Sequence, residues 1–96
     1  MIVVMNRITV TEGREQEFEE TFKNRDRAVD EAPGFIEMKV LRPLEGRTYV
    51  VMTRWQTRAA FQEWTESQAF ISAHRKQPQG LAEMRPTLEI YEVFTQ

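Results

Sequence analysis

Residues 35–55 read FIEMKVLRPLEGRTYVVMTRW, two runs rich in β-branched and aromatic side chains joined through Pro43-Leu44-Glu45-Gly46. Runs of this composition on either side of turn residues form a β-hairpin. The hairpin decides the fold because a helical segment and one further strand flank it on each side. Upstream, EAPGF (31–35) ends a helix: Pro33 disfavours helical geometry at Ala32, and Gly34 releases the turn. The spacing of Phe18, Phe22, Arg25 and Val29, with Ala28 beside them, predicts a helix of about fifteen residues presenting one face to a core. Before it, TEGRE (11–15) turns the chain at Gly13, and a first strand runs from Ile2 to Thr9 or Val10. Downstream, Thr57 is placed to cap a helix carrying Ala60, Phe61 and Trp64. TESQ (65–68) bends or interrupts that helix before Phe70, Ile71 and His74 resume an apolar face. KQPQGLAEMRP (76–86) is a poorly periodic loop, and TLEIYEVF (87–94) is the last strand.

The resulting order, β-α-β-β-α-β over residues 1–96, predicts a single α+β domain of the ferredoxin-like sandwich type. Two helices cover one sheet face only. Val3 and Met5, the hairpin residues Met38, Val40, Tyr49 and Val51, and Tyr91 and Val93 are read as the opposite face. An apolar face left uncovered predicts a homodimer through sheet-to-sheet packing.

Composition narrows the function classes. Thirteen Lys and Arg against fifteen Asp and Glu give a formal charge of −2, which builds no extended phosphate-binding surface and no attraction to a membrane, so neither nucleic acid nor membrane is expected as a partner. The chain has no cysteine, which excludes disulfides, thiolate chemistry and cysteine-ligated metal, and agrees with a cytoplasmic protein. No apolar run has signal-peptide form or approaches transmembrane length. There is no Ser/His/Asp order and no glycine-rich phosphate loop, and the carboxylates of EGREQEFEE (12–20) fall at the spacing of a solvated helix face.

Four residues resist a purely structural reading. Asn6 shares its period-two face with Val4, Ile8 and Val10, where an amide either satisfies a neighbouring carbonyl or meets a ligand. Arg25 interrupts an apolar stripe; its head either pairs with Glu20 or Asp26 or reaches an anion. His74, the only histidine, is either a solvated core-edge residue or a ligand; alone it cannot build a zinc site, but one imidazole suffices for heme iron, whose porphyrin supplies four nitrogens. Trp64 is core by its spacing from Phe61, or else one wall of a site for an extended planar ligand, since ten residues of unbroken helix rise about 15 Å to His74. The topology lets all four approach a crevice between sheet and helices.

MNRITV (5–10), APGFIEMKVLRP (32–43), YVVMTRWQTRAAFQEW (49–64) and FISAHR (70–75) together resemble the antibiotic-biosynthesis-monooxygenase-like dimeric α/β-barrel superfamily. Asn6, Trp64 and His74 at these registers are similar to the bacterial heme-degrading monooxygenases of the IsdG and mycobacterial type. The resemblance implies a dimeric α/β barrel with one heme site per subunit. It makes His74 the proximal iron ligand, Asn6 the distal hydrogen-bonding group, and Trp64 the bulk that ruffles the porphyrin. Arg25 matches a pocket arginine of the mycobacterial members, and Phe22 an apolar wall. Heme is then both substrate and oxygen-activating cofactor. The implied reaction opens the macrocycle with oxygen, draws electrons from an external donor such as a reductase, and releases iron and a linear tetrapyrrole. The broader superfamily also implies an alternative, a cofactor-independent quinol-type monooxygenase acting on an aromatic or polyketide substrate in the same crevice.

Overall fold

The computed structural model describes all residues, Met1 to Gln96. Strand β1 (Ile2–Thr9) is followed by helix α1 (Glu15–Lys23), a single 3₁₀ turn (Ala28–Glu31), the hairpin β2 (Phe35–Leu41) and β3 (Thr48–Trp55), helices α2 (Arg58–Thr65) and α3 (Gln68–Arg75), and β4 (Thr87–Glu92). The four strands pair antiparallel in the order β2-β3-β1-β4, the ferredoxin-like arrangement. The two adjacent strands of the hairpin thus end at one sheet edge, and β1 is paired on both sides.

Local chemistry explains most element ends. Thr57 Oγ1 accepts from Ala60 N at 3.1 Å and caps α2, as its position predicts. Gly34 has φ +82°, and a Cβ there would lie 2.6 Å from Ala60 Cβ, so the turn into β2 requires glycine both for its backbone and for its contact with α2.

The first helix is shorter than its stripe predicts. It ends after nine residues at Asn24, and the chain passes Arg27 at φ 60° before the 3₁₀ turn. The Asp26 carboxylate accepts from Ala28 N at 3.1 Å, offering the backbone an alternative to helical hydrogen bonds. Phe18 and Phe22 belong to α1, Arg25 to the connection after it, and Val29 to the 3₁₀ turn. Phe22, Arg25 and Val29 nevertheless line one space between the sheet and the helices despite this break.

The hairpin faces also differ from the expectation. Asn6 pairs with Val51, Ile8 with Tyr49, and Val40 with Val51, so these side chains share one face of the sheet. Tyr49 is buried against Phe18, Met38 and Val40 pack on the core clusters, and the set therefore faces the helices. Strand β3 is apolar on both faces through Tyr49-Val50-Val51-Met52, and alternation alone does not orient it. The outer face instead carries Val3, Met5, Val50, Met52 and Tyr91, bordered by the ion pairs Arg7–Glu89 at 2.8 Å and Arg54–Glu37 at 2.6 Å.

Only eight residues are buried, and they form two separate clusters rather than one core. Ile2, Val4, Val29 and Trp55 make the first, with Phe35, Phe61 and Trp64 packed around it. Trp55 is fully enclosed and donates from Nε1 to Thr53 Oγ1 at 2.9 Å; truncating so large a buried ring costs about 3–5 kcal/mol in typical cores. Val10, Phe18, Tyr49 and Leu81 make the second. Leu81 comes from the long segment before β4, which is pinned by Thr11 N to Leu81 O at 2.8 Å and by the Val10–Ala82 bridge.

A polar clasp closes the second cluster. Glu19 accepts from Arg42 Nε at 2.9 Å and from the Tyr49 hydroxyl. These hydrogen bonds, Arg42 first and Tyr49 second, hold the Glu19 carboxyl down at about 2, while burial and then Glu19 push the Tyr49 phenol up to about 12. The depressed carboxyl contributes stability above its ordinary value of 4.5, which is lost as pH falls toward 2. The raised phenol contributes stability below 10, which is lost as pH rises toward 12. Glu19→Gln is expected to flatten the acid limb of stability between these carboxyl values, measured by urea unfolding as a function of pH. An unchanged acid limb would remove the clasp from the account.

Candidate functional site

A cavity of about 890 Å³ lies between the sheet and the helices, lined by Val4, Val29 and Trp55 of the first cluster and by Ile8 and Phe22, which pack on the second. Asn6, Phe22, Arg25, Trp64 and His74 all line it, so every site residue singled out from the sequence converges on one space. The sheet supplies the floor through Val4, Asn6, Ile8, Met38, Val51 and Thr53.

Asn6 sits midway along β1, with Val51 opposite it on one side and Leu88 on the other. Neither neighbour offers a polar side chain. No sealed polar side-chain atom in the chain lacks a partner, so the Asn6 amide is not an enclosed orphan; it opens into the cavity. Its polarity on an apolar face is therefore available to whatever enters.

Trp64 and His74 lie on different helices. The helical path breaks at Glu66 and Ser67, as the TESQ segment suggests, and Ser67 restarts it by accepting from Phe70 N at 3.2 Å while donating to Trp64 O at 2.7 Å. The rise expected of a continuous helix consequently does not apply. The Phe70 ring bridges the two: it meets Trp64 edge-on at 5.8 Å and 88°, and lies against His74 at 4.0 Å and 34°. His74 Nδ1 is 3.0 Å from Phe70 O, an atom that can only accept, so the bond places the proton on Nδ1 and leaves the Nε2 lone pair free. The residue is exposed at the cavity rim rather than enclosed.

Arg25 reaches the cavity from the connection after α1. Its side chain is 21% exposed, and its guanidinium stands 3.8 Å from Asp30, whose other oxygen is taken by Arg27 at 2.8 Å. Lys76, at the end of α3, faces Asp26 at 3.6 Å across the same region. These long pairs leave two cations able to exchange a protein carboxylate for an incoming one.

No group of three or more His, Cys, Asp or Glu side chains could hold a metal ion. A metal bound by His74 must bring its remaining ligands with it, which a porphyrin does. Phe22 forms part of the wall and packs against Phe18 at 4.9 Å. Phe70, Lys76, Val51 and Thr53 also line the space; of these only Phe70, four residues before the sole histidine, carries a local signal in the sequence.

A family model for antibiotic biosynthesis monooxygenases matches residues 1–76. The chain is 40% identical over 74 residues to a mycobilin-producing heme oxygenase of Mycobacterium tuberculosis, covering 76% of this chain and 70% of that one. It is 33% identical over 98 residues to a heme-degrading monooxygenase of Halalkalibacterium halodurans, covering 97% and 82%. The fold superposes with a TM-score of 0.86 and 32% identity on the heme-degrader MhuD of Mycobacterium tuberculosis, solved with two hemes bound in its active site, covering 100% of this chain and 98% of that one.

Proposed function

Because this chain belongs to the antibiotic biosynthesis monooxygenase family, we propose that it is a heme-degrading monooxygenase that opens the porphyrin ring with dioxygen and external electrons, releasing iron and a linear tetrapyrrole. The observation that carries the reading is the convergence of Asn6, Trp64 and His74 on one cavity. The same residue types at unrelated positions would carry nothing.

The cavity fits such a substrate. Its volume of about 890 Å³ lies near the top of the range for small-molecule sites, its lining is apolar and aromatic, and its donor set is one imidazole. Bound heme supplies the oxygen chemistry and is itself the ring oxidised. The protein's own residues bind and orient it. His74 offers Nε2 to the iron, with Nδ1 held by Phe70 O so that the ring keeps one tautomer. Asn6 offers an amide N–H as the hydrogen-bond donor on the sheet side. Trp64, held against the first core cluster, would press on a bound macrocycle, while Phe22 and the sheet floor would exclude water from it. Arg25 stands ready to exchange its long contact with Asp30 for a propionate.

The functional unit is a homodimer joined through the outer sheet face, supported by Val3, Met5, Val50 and Met52 in the centre of that face. Light scattering after size exclusion should return twice the chain mass. Lack of cysteine supports a cytoplasmic location, and no helix is long and apolar enough to cross a membrane. Anaerobic titration with heme should give a stoichiometric histidine-ligated spectrum, and adding oxygen with a reductant should bleach the Soret band. Intact heme after turnover conditions would defeat the degradation reading, and absence of specific binding would return the quinol-type alternative.

A further inference from the structure

Resting on that reading, we propose that Phe70 is a positioning residue that couples the orientation of His74 to that of Trp64. Its ring is the only one in contact with both: edge-on to Trp64 at 5.8 Å, and tilted by 34° against the imidazole at 4.0 Å. Its backbone is committed at both ends. The amide donates to Ser67 Oγ, which is bonded in turn to Trp64 O, and the carbonyl receives His74 Nδ1. Two ring contacts join the two side chains, and three hydrogen bonds join His74 to the Trp64 main-chain carbonyl, across the break between α2 and α3.

What separates this from ordinary packing is where Phe70 lies. Phe61 and Trp64 pack on the first core cluster and Phe22 on the second, whereas Phe70 belongs to neither. Its aromatic partners are the two site residues, and its ring faces the cavity. An imidazole on an exposed helix turn is free to rotate about its side-chain torsions; a ring packed at 4.0 Å on one side and a carbonyl on Nδ1 restrict that freedom. The same ring limits how far Trp64 can tilt away from the cavity. The position of the iron ligand and the bulk that shapes the macrocycle are thereby set together.

Phe70→Leu keeps apolar volume and the backbone carbonyl but removes the flat ring; Phe70→Tyr restores it. In the heme-free protein, ring-nitrogen NMR of His74 should show one dominant Nδ1–H tautomer in the parent and in the tyrosine variant. The leucine variant should show mixed tautomers, together with a shifted indole resonance for Trp64. With heme, the leucine variant should release it about two- to tenfold faster, the worth of one aromatic pair, and should change the ratio of cleavage isomers, with tyrosine restoring both. A leucine variant whose His74 nitrogens and Trp64 indole match the parent would overturn the coupling. Failure of the parent to bind heme would instead defeat the proposed function while leaving the heme-free result standing.

Discussion

Replacing His74 by alanine is expected to abolish turnover and to weaken heme binding by more than about 100-fold, since even loss of an outer partner of a metal-bound histidine commonly costs 10- to 100-fold. No second imidazole or thiolate can substitute, because the chain has one histidine and no cysteine. The fold should not suffer, because His74 is exposed and lies outside both buried clusters. Heme titration by absorbance, with a thermal melt alongside, separates the two effects. Histidine-type coordination persisting in His74→Ala would exclude the assigned ligand, and a collapse in melting temperature would recast the residue as structural.

Asn6→Ala should give the opposite combination: heme retained, turnover reduced by about 10²–10³, and an altered cleavage position, the scale seen when one preorganised donor is removed from a site where charge develops. Stability is expected to hold or rise slightly. The amide has apolar neighbours in Val51 and Leu88 and opens into the cavity, so an apolar replacement leaves no new unpaired group. Activity and stability moving in different directions is the signature of a polar residue kept for its ligand. Single-turnover bleaching of the Soret band and mass spectrometry of the tetrapyrrole read the first effect, and urea unfolding the second. If the variant turned over normally with the parent's product, Asn6 would have no part in oxygen chemistry.

The order of elements was legible because each strand run is dense in β-branched residues and each boundary has its own chemistry: Thr57 at a cap, Gly34 where only glycine fits, Ser67 at a restart. The length of α1 was not. Asp26 draws the backbone out of the helix through a hydrogen bond to Ala28, and a stripe of side chains records proximity rather than continuity. The faces of β3 were hidden for a different reason. With Tyr49, Val50, Val51 and Met52 in succession, both faces are apolar, and the choice between them belongs to Phe18 and Trp55, which lie far from that strand segment in sequence or at its end. At the site, Asn6 and Arg25 drew notice as polar residues in apolar company, and His74 as the sole imidazole. Phe70 drew none, because an aromatic residue four positions before another ring on a helix reads as packing; its value lies in the break at Glu66 and Ser67, which brings Trp64 onto its other side.

The division of the buried residues into two clusters has a consequence for how the protein handles what it binds. A domain with a hole between two half-cores is missing its middle layer, and a flat apolar ligand seated there becomes that layer. Loading and folding are then one linked equilibrium: ligand at 100 times its dissociation constant adds about 2.7 kcal/mol to stability. A ring-opened, flexible product should fill the same space less well than the planar macrocycle, so the melting temperature of the product complex is expected to fall below that of the heme complex.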